Sequence, residues 1–233
     1  MDYTYLDENY REITARIEEA RCRAGRADDI DLLVAIKSAD IGEIRYLAEN
    51  HGVKMVGENR VQQLLERYDE LKTLGLEIHF IGALQTNKVK YIIDKVDMIH
   101  SVDRMSLARE IDRQAEKKGI IMDVLIEINS AREESKSGVL FENASDFFAE
   151  IAELMHLNVR GFMTMGQKSE KNSEYLKYFC ETYQLMLDIL QKNIHNIDVP
   201  VLSMGMSDSF EPAIEAGSTM VRIGRRMFIK KVK

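Results

Sequence analysis

The chain contains no tryptophan, two cysteines and two prolines, and no apolar run approaches the ~20 residues needed to span a bilayer. Each shortage excludes something. Cys22 and Cys180 stand alone, each in a helical pattern, so they read as reduced thiols rather than the staples of a disulfide scaffold. The only prolines are Pro200 and Pro212 and no Pro- or Ser-rich linker divides the chain, so one domain is the simplest organisation. CxxC and HExxH spacings are missing and the five histidines are scattered, which gives no metal motif. Basic residues are in the minority, 32 Lys and Arg against 39 Asp and Glu for a net charge of −7, which disfavours generic nucleic-acid binding. The N-terminus "MDYTYLDENYREITARIEEA" is polar and acidic, unlike a signal peptide. Together these features predict a cytoplasmic protein with no membrane contact.

What the chain does have is a full-size core and a regular alternation. Hydrophobic residues make up 45% and charged residues 30% of 233 positions, as in a soluble globular domain. Leu6, Tyr10, Ile13, Ile17, Ala20 and Ala24 recur at helical spacing and predict an amphipathic helix within residues 1–29. Eight short apolar runs follow: "LLVAIK" (32–37), "MVG" (55–57), "EIHFIG" (77–82), "MIHSV" (98–102), "MDVLIEI" (122–128), "NVRGFMT" (158–164), "VPVLSMG" (199–205) and "TMVRIG" (219–224). Amphipathic segments lie between them, the longest built on Leu176, Phe179, Tyr183, Met186 and Leu190. Strand then helix, repeated, is the order of a parallel α/β fold. Eight units favour a closed (β/α)8 TIM-type barrel over residues 30–233 with the extra N-terminal helix packed on it. A doubly wound open sheet is the alternative.

A barrel directs attention to the C-terminal ends of its strands. Alternation puts Leu33, Ala35 and Lys37 on the face opposite Leu32, Val34 and Ile36, so Lys37 would stand at the upper rim. There it is either an amine snorkelling to solvent or a partly desolvated nucleophile suited to Schiff-base chemistry. Asn59, after the second strand, is either a rim residue or the N-cap of the next helix. His79 shares a face with Glu77 and Ile81, as a hydrogen-bonded core residue or a site residue. The loop "NSAREESKSG" (129–138) is charged and ends in glycine, so it is either a mobile rim element or merely solvated. Ser207 follows the seventh strand and offers a hydroxyl and nearby backbone N–H groups to an anion. In the eighth, Arg222 turns into the barrel while Val221 and Ile223 face the helices, and Gly224 permits close approach of a ligand. An amine at strand one, an anion site after strands seven and eight and an inward guanidinium suit a ligand with an aldehyde, a phosphate and a ring acceptor. Pyridoxal 5′-phosphate (PLP) has all three.

The pieces "LLVAIK", "GENRVQ", "HFIGALQTNK", "HSVDR", "SKSG", "RGFMTM" and "SMGMSDSFEPAIEAGSTMVRIG" stand in order over residues 31–228 and resemble the YggS/PROSC family of pyridoxal phosphate homeostasis proteins. The resemblance implies a fold like the N-terminal barrel of alanine racemase, with Lys37 as the Schiff-base lysine, Ser207, Gly224 and the backbone of Arg225 as the phosphate site, and Arg222 facing the pyridine nitrogen. It also implies that Asn59 is a rim residue near the cofactor and His79 part of a motif near the pocket. Where relatives often carry a small hydroxyl residue, this chain has Arg225, whose side chain would either assist the phosphate or point outward. An arginine at the pyridine nitrogen leaves the ring unprotonated and a weak electron sink. The chain also ends after the eighth strand, without the second domain that completes a racemase site. The expectation is therefore a PLP-binding protein of intracellular PLP homeostasis, holding and delivering the cofactor without robust catalysis, with apo PLP-enzymes as possible recipients and a monomer favoured over a homodimer. A small PLP-dependent racemase or lyase is the alternative. A Schiff-base aldolase, which the barrel alone would allow, is disfavoured by Arg222 and the long motifs.

Overall fold

The computed structural model describes residues 2–133, 137–165, 172–192 and 200–230. Eight parallel strands close into a barrel in chain order: β1 (Asp31–Ala35), β2 (Met55–Glu58), β3 (Glu77–Phe80), β4 (Met98–Val102), β5 (Met122–Glu127), β6 (Leu157–Thr164), β7 (Val201–Met204) and β8 (Met220–Ile223). Closure is made by β8 pairing with β1, Leu33 opposite Arg222 and Val34 opposite Ile223. The predicted closed barrel is thus the one found, and the open-sheet alternative is overturned. The predicted start of the seventh strand at 199 lies outside the described residues, as do 134–136 of the 129–138 loop.

Period-2 patterning explains the two faces. Val34, Ile36, Val56, Ile78, Phe80, Val124, Ile126, Phe162, Val221 and Ile223 face outward into one continuous core beneath the helices. Met98, Leu125 and Met163 form a separate apolar cluster within the barrel. Phe80, Phe148, Phe162, Phe179 and Phe210 are fully buried, each burial contributing roughly 1.5–3 kcal/mol.

The helix α1 (Thr4–Arg23) precedes the barrel and buries Leu6, Ile13, Ile17 and Ala20, as its spacing predicts. It packs against α8 (Phe210–Glu215), α9 (Arg225–Phe228) and α2 (Ile41–His51). Buried Asn9 secures the contact with α9 by donating to the carbonyls of Met227 and Ile229, both at 2.9 Å. Helix α2 opens with a capping box: Asp40 accepts from Glu43 N–H and Glu43 accepts from Asp40 N–H, each at 2.8 Å. The connection between β1 and α2 is therefore pinned at its far end. The other helices in chain order are α3 (Val61–Thr73), α4 (Val89–Ile92), α5 (Met105–Lys118), α6 (Phe141–Ala152) and α7 (Asn172–Gln191). None among the described residues is long and apolar enough to cross a membrane. Cys22 and Cys180 are both free and exposed, as expected of unpaired thiols.

Candidate functional site

Strand β1 stops two residues before Lys37. Ile36 N–H makes the last ladder bond, to Gly57 O at 3.0 Å, and Ala39 N–H then turns back to Ile36 O at 3.0 Å. Lys37 sits in that turn and is exposed. The alternation of "LLVAIK" predicts a strand through residue 37, but ladder pairing ends at Ile36 N–H, and Lys37 keeps its rim position as an exposed turn residue rather than a buried strand end. Helix α3 holds the backbone beneath it. Arg67 Nη1 donates to Ile36 O at 2.9 Å and Gln63 Nε2 to Lys37 O at 3.5 Å.

Arg67 is in turn oriented by Glu58, the last residue of β2. Glu58 is fully buried. Its Oε1 accepts from the N–H groups of Asn59 and Arg60 at 2.7 and 3.3 Å, and its Oε2 lies 3.4 Å from Arg67 Nη1. The N-cap of α3 is Arg60, whose N–H the Glu58 carboxylate receives, so the N-cap role considered for Asn59 is overturned. Asn59 is half-buried at the rim. A Cβ on Gly82 would come within 2.1 Å of Asn59 O, so only glycine lets the loop after β3 close over this rim.

On the other side of β1 the ends of β7 and β8 converge. Ser207 is buried, and its Oγ accepts from Arg226 N–H at 3.3 Å. A hydroxyl in that state still has its own proton to donate. Ser207 O also accepts from Arg226 Nε. A Cβ on Gly224 would stand 2.9 Å from Ala35 O, which shows how closely the β8 and β1 ends approach. Arg225 points outward, its guanidinium ion-paired to Asp208. Of the two orientations considered for that side chain, this is the outward one.

Inside the barrel, Arg222 is buried and donates to Ser203 O (2.5 Å), Ser203 Oγ (2.8 Å) and Thr164 O (3.0 Å). Burial pulls its pKa down to about 10, partly opposed by Glu127. His79 is fully buried and both its ring nitrogens are engaged: Nε2 with Glu77 Oε1 and Nδ1 with His100 Nε2, each at 2.8 Å. His79 thus joins an interior chain rather than standing free at the mouth. Among the described residues no acidic, His or Cys cluster could hold a metal.

Three interior groups escaped the sequence reading: His100, Ser203 and Glu127. Each is a polar residue on the inward register of an apolar strand, which is the signal that could have found them. Glu127 ends β5, is 4% exposed and accepts from Ser137 Oγ at 3.3 Å. Burial, reinforced by the charge of Asp103, pushes its pKa up to about 7, against weaker opposing pulls from Ser137 and Arg222. A carboxyl raised in the folded state stabilises the fold while protonated, and that stability is lost as pH rises from the unfolded value through about 7. Glu127→Gln removes the penalty. Relative to the wild type it should gain about 3 kcal/mol between pH ~4.5 and ~8, measured by urea unfolding across that range. Parallel wild-type and variant curves would contradict this assignment.

Comparison with known proteins fits this geometry. The family described as alanine racemase, N-terminal domain, matches residues 4–231. The pyridoxal phosphate homeostasis protein of Aquifex aeolicus is 45% identical over 221 residues, 95% of this chain and 96% of that one. Its namesake in Escherichia coli K12 is 34% identical over 223 residues, 94% of each chain. The structure of PipY from Synechococcus elongatus with PLP bound superposes with a TM-score of 0.79 at 26% identity, covering 91% of this chain and all of PipY. With a family match over nearly the whole chain and relatives at this level of identity, the chain belongs to the alanine racemase N-terminal-domain family, among its pyridoxal phosphate homeostasis proteins.

Proposed function

We propose that this chain binds PLP reversibly, with Lys37 as its covalent attachment point, and serves cofactor homeostasis and delivery rather than a robust reaction of its own. One observation carries the reading: Ser207, Gly224, Lys37 and Asn59 follow β7, β8, β1 and β2, four consecutive strands of the closed barrel, so the four line one arc of its C-terminal rim. The donor set fits the group. Ser207 Oγ, already accepting from Arg226 N–H, has its proton left for a phosphate oxygen, and the backbone at Gly224 and Arg225 adjoins it. Arg222 supplies an acceptor-free guanidinium for the pyridine nitrogen from within the barrel.

When bound, PLP supplies an aldehyde that condenses with an amine and a ring that draws electrons from it. The chain's residues then decide how much chemistry follows. Arg222, which keeps its protons, would face the ring nitrogen as a donor and leave it unprotonated, weakening that draw. Lys37, exposed to water, is reachable by competing amines, and that suits exchange of the cofactor. Both features support holding and passing on over turnover, with apo PLP-enzymes as the recipients and a cytoplasmic setting.

Titration with PLP tests this. Saturable binding is expected, and Ser207→Ala should weaken it by about 1–3 kcal/mol, the loss of a hydrogen bond to a charged group. Absence of saturable binding in the wild type would overturn the reading, and unchanged affinity in Ser207→Ala would remove Ser207 from the phosphate site.

A further inference from the structure

One line of side chains crosses the inside of the barrel. From the first residue of β3 it runs Glu77 Oε1 to His79 Nε2 (2.8 Å), His79 Nδ1 to His100 Nε2 (2.8 Å), His100 Nδ1 to Ser203 Oγ (3.1 Å) and Ser203 Oγ to Arg222 Nη1 (2.8 Å). His100 is in β4 and Ser203 in β7, so their bond spans the lumen. Glu77 is half exposed where the strands begin, whereas the other four members are buried.

With both rings neutral, the acceptor-only carboxylate of Glu77 determines the direction of every bond, and the donor-only guanidinium at the other end is compatible with it. Arginine only donates and an ionised carboxylate only accepts. Arg222 therefore donates to Ser203, Ser203 O–H to His100 Nδ1, His100 Nε2–H to His79 Nδ1, and His79 Nε2–H to Glu77. In this arrangement each neutral imidazole carries its proton on Nε2, and both nitrogens of each ring have a partner. The electrostatics agree: burial, with His79 and Arg222 beside it, holds His100 well below the usual imidazole range, and the bond from His79 holds Glu77 below the usual carboxylate range. The charged groups facing the chain from other strands are Asp31 on β1, Arg160 on β6 and Glu127 on β5.

We propose that Glu77, His79, His100 and Ser203 are positioning residues for Arg222: a single directional chain that fixes its guanidinium in the barrel and transmits a contact made by Arg222 to the opposite end of the strands. The second half rests on Arg222 facing the PLP ring; the first half does not. Chains of this kind polarise one another, so a change at one end is felt along its length.

Nitrogen-15 NMR of the histidine rings separates the two halves. In the free protein the neutral form of both His79 and His100 should be the Nε2–H tautomer. A neutral ring carrying its proton on Nδ1 would overturn the chain. In Glu77→Gln the acceptor-only end is gone, and mixed tautomers are expected; an unchanged single tautomer would refute the end-determined direction. PLP added to wild type should shift both ring spectra. In Ser203→Ala those shifts should vanish while PLP still binds, roughly 10-fold more weakly. If PLP binds the wild type by titration yet both rings stay unmoved, the transmission fails. If PLP does not bind at all, the cofactor reading falls, and the free-protein tautomers still decide the chain.

Discussion

Replacing Lys37 by alanine should eliminate the borohydride-stable PLP adduct that the wild-type chain gives in a mass spectrum. The argument is one of place. Among the residues of the rim arc only Lys37 carries a primary amine; Asn59, Ser207 and Gly224 cannot form the link, and the outward Arg225 is tied to Asp208. The turn that carries Lys37 is held from both sides, by the Gly57 carbonyl and the α3 side chains before it and by the α2 capping box after it, so the backbone of Lys37 is fixed at the rim and its exposed side chain reaches out from there. Ser207 and Arg222 remain in the variant, so measurable non-covalent binding should persist with the near-visible absorbance of the link lost. An adduct of undiminished yield, mapped to another lysine, would sink the assignment of Lys37.

How far such a site can be read from sequence differs by residue. The alternation of eight apolar runs with amphipathic helices predicts a barrel because each strand needs an outward face to bury, and those faces are what the chain writes most plainly. Val221 and Ile223 turned outward in the structure as their spacing requires, which put Arg222 inside. The end of β1 was less legible. "LLVAIK" keeps its period through residue 37, but a strand ends where pairing ends, and Ile36 N–H has the last partner. Asn59 looked like a cap because caps are usually read from the residue beside the helix; here the carboxylate comes from Glu58, a strand residue. His79 was visible as an inward polar residue but its partners were not. Strand period tells which face a residue takes, not what stands across the lumen, and Ser203 lies 103 positions beyond His100.

Glu58→Ala should cost the fold about 3 kcal/mol and, separately, slow the trapping of PLP on Lys37. The carboxylate is fully buried, accepts from two donors, Asn59 N–H and Arg60 N–H, and is ion-paired with Arg67 at 3.4 Å. Its removal strands the first two without an acceptor and leaves Arg67 unpaired, and breaking a buried pair from one side typically costs about 3–5 kcal/mol. The lower end applies because Arg67 keeps 19% of its side chain in water and its bond to Ile36 O. Urea unfolding measures the stability loss; a change under about 1 kcal/mol would mean that water replaces the carboxylate at no real cost. Arg67→Met distinguishes the second effect from the first. It keeps the Glu58 carboxylate on the N–H groups of Asn59 and Arg60 and removes the hold on Ile36 O. The buried carboxylate left without its cation costs a similar ~3–5 kcal/mol, so the two variants are matched in stability loss, and trapping is compared on the folded fraction of each while the turn under Lys37 loosens. Slower adduct formation in Arg67→Met, with PLP still bound non-covalently, would show that Glu58 acts on the amine through Arg67. Trapping at the wild-type rate in that variant would confine Glu58 to capping α3, and the placement of Lys37 would then rest on the Gly57 bond and the α2 capping box alone.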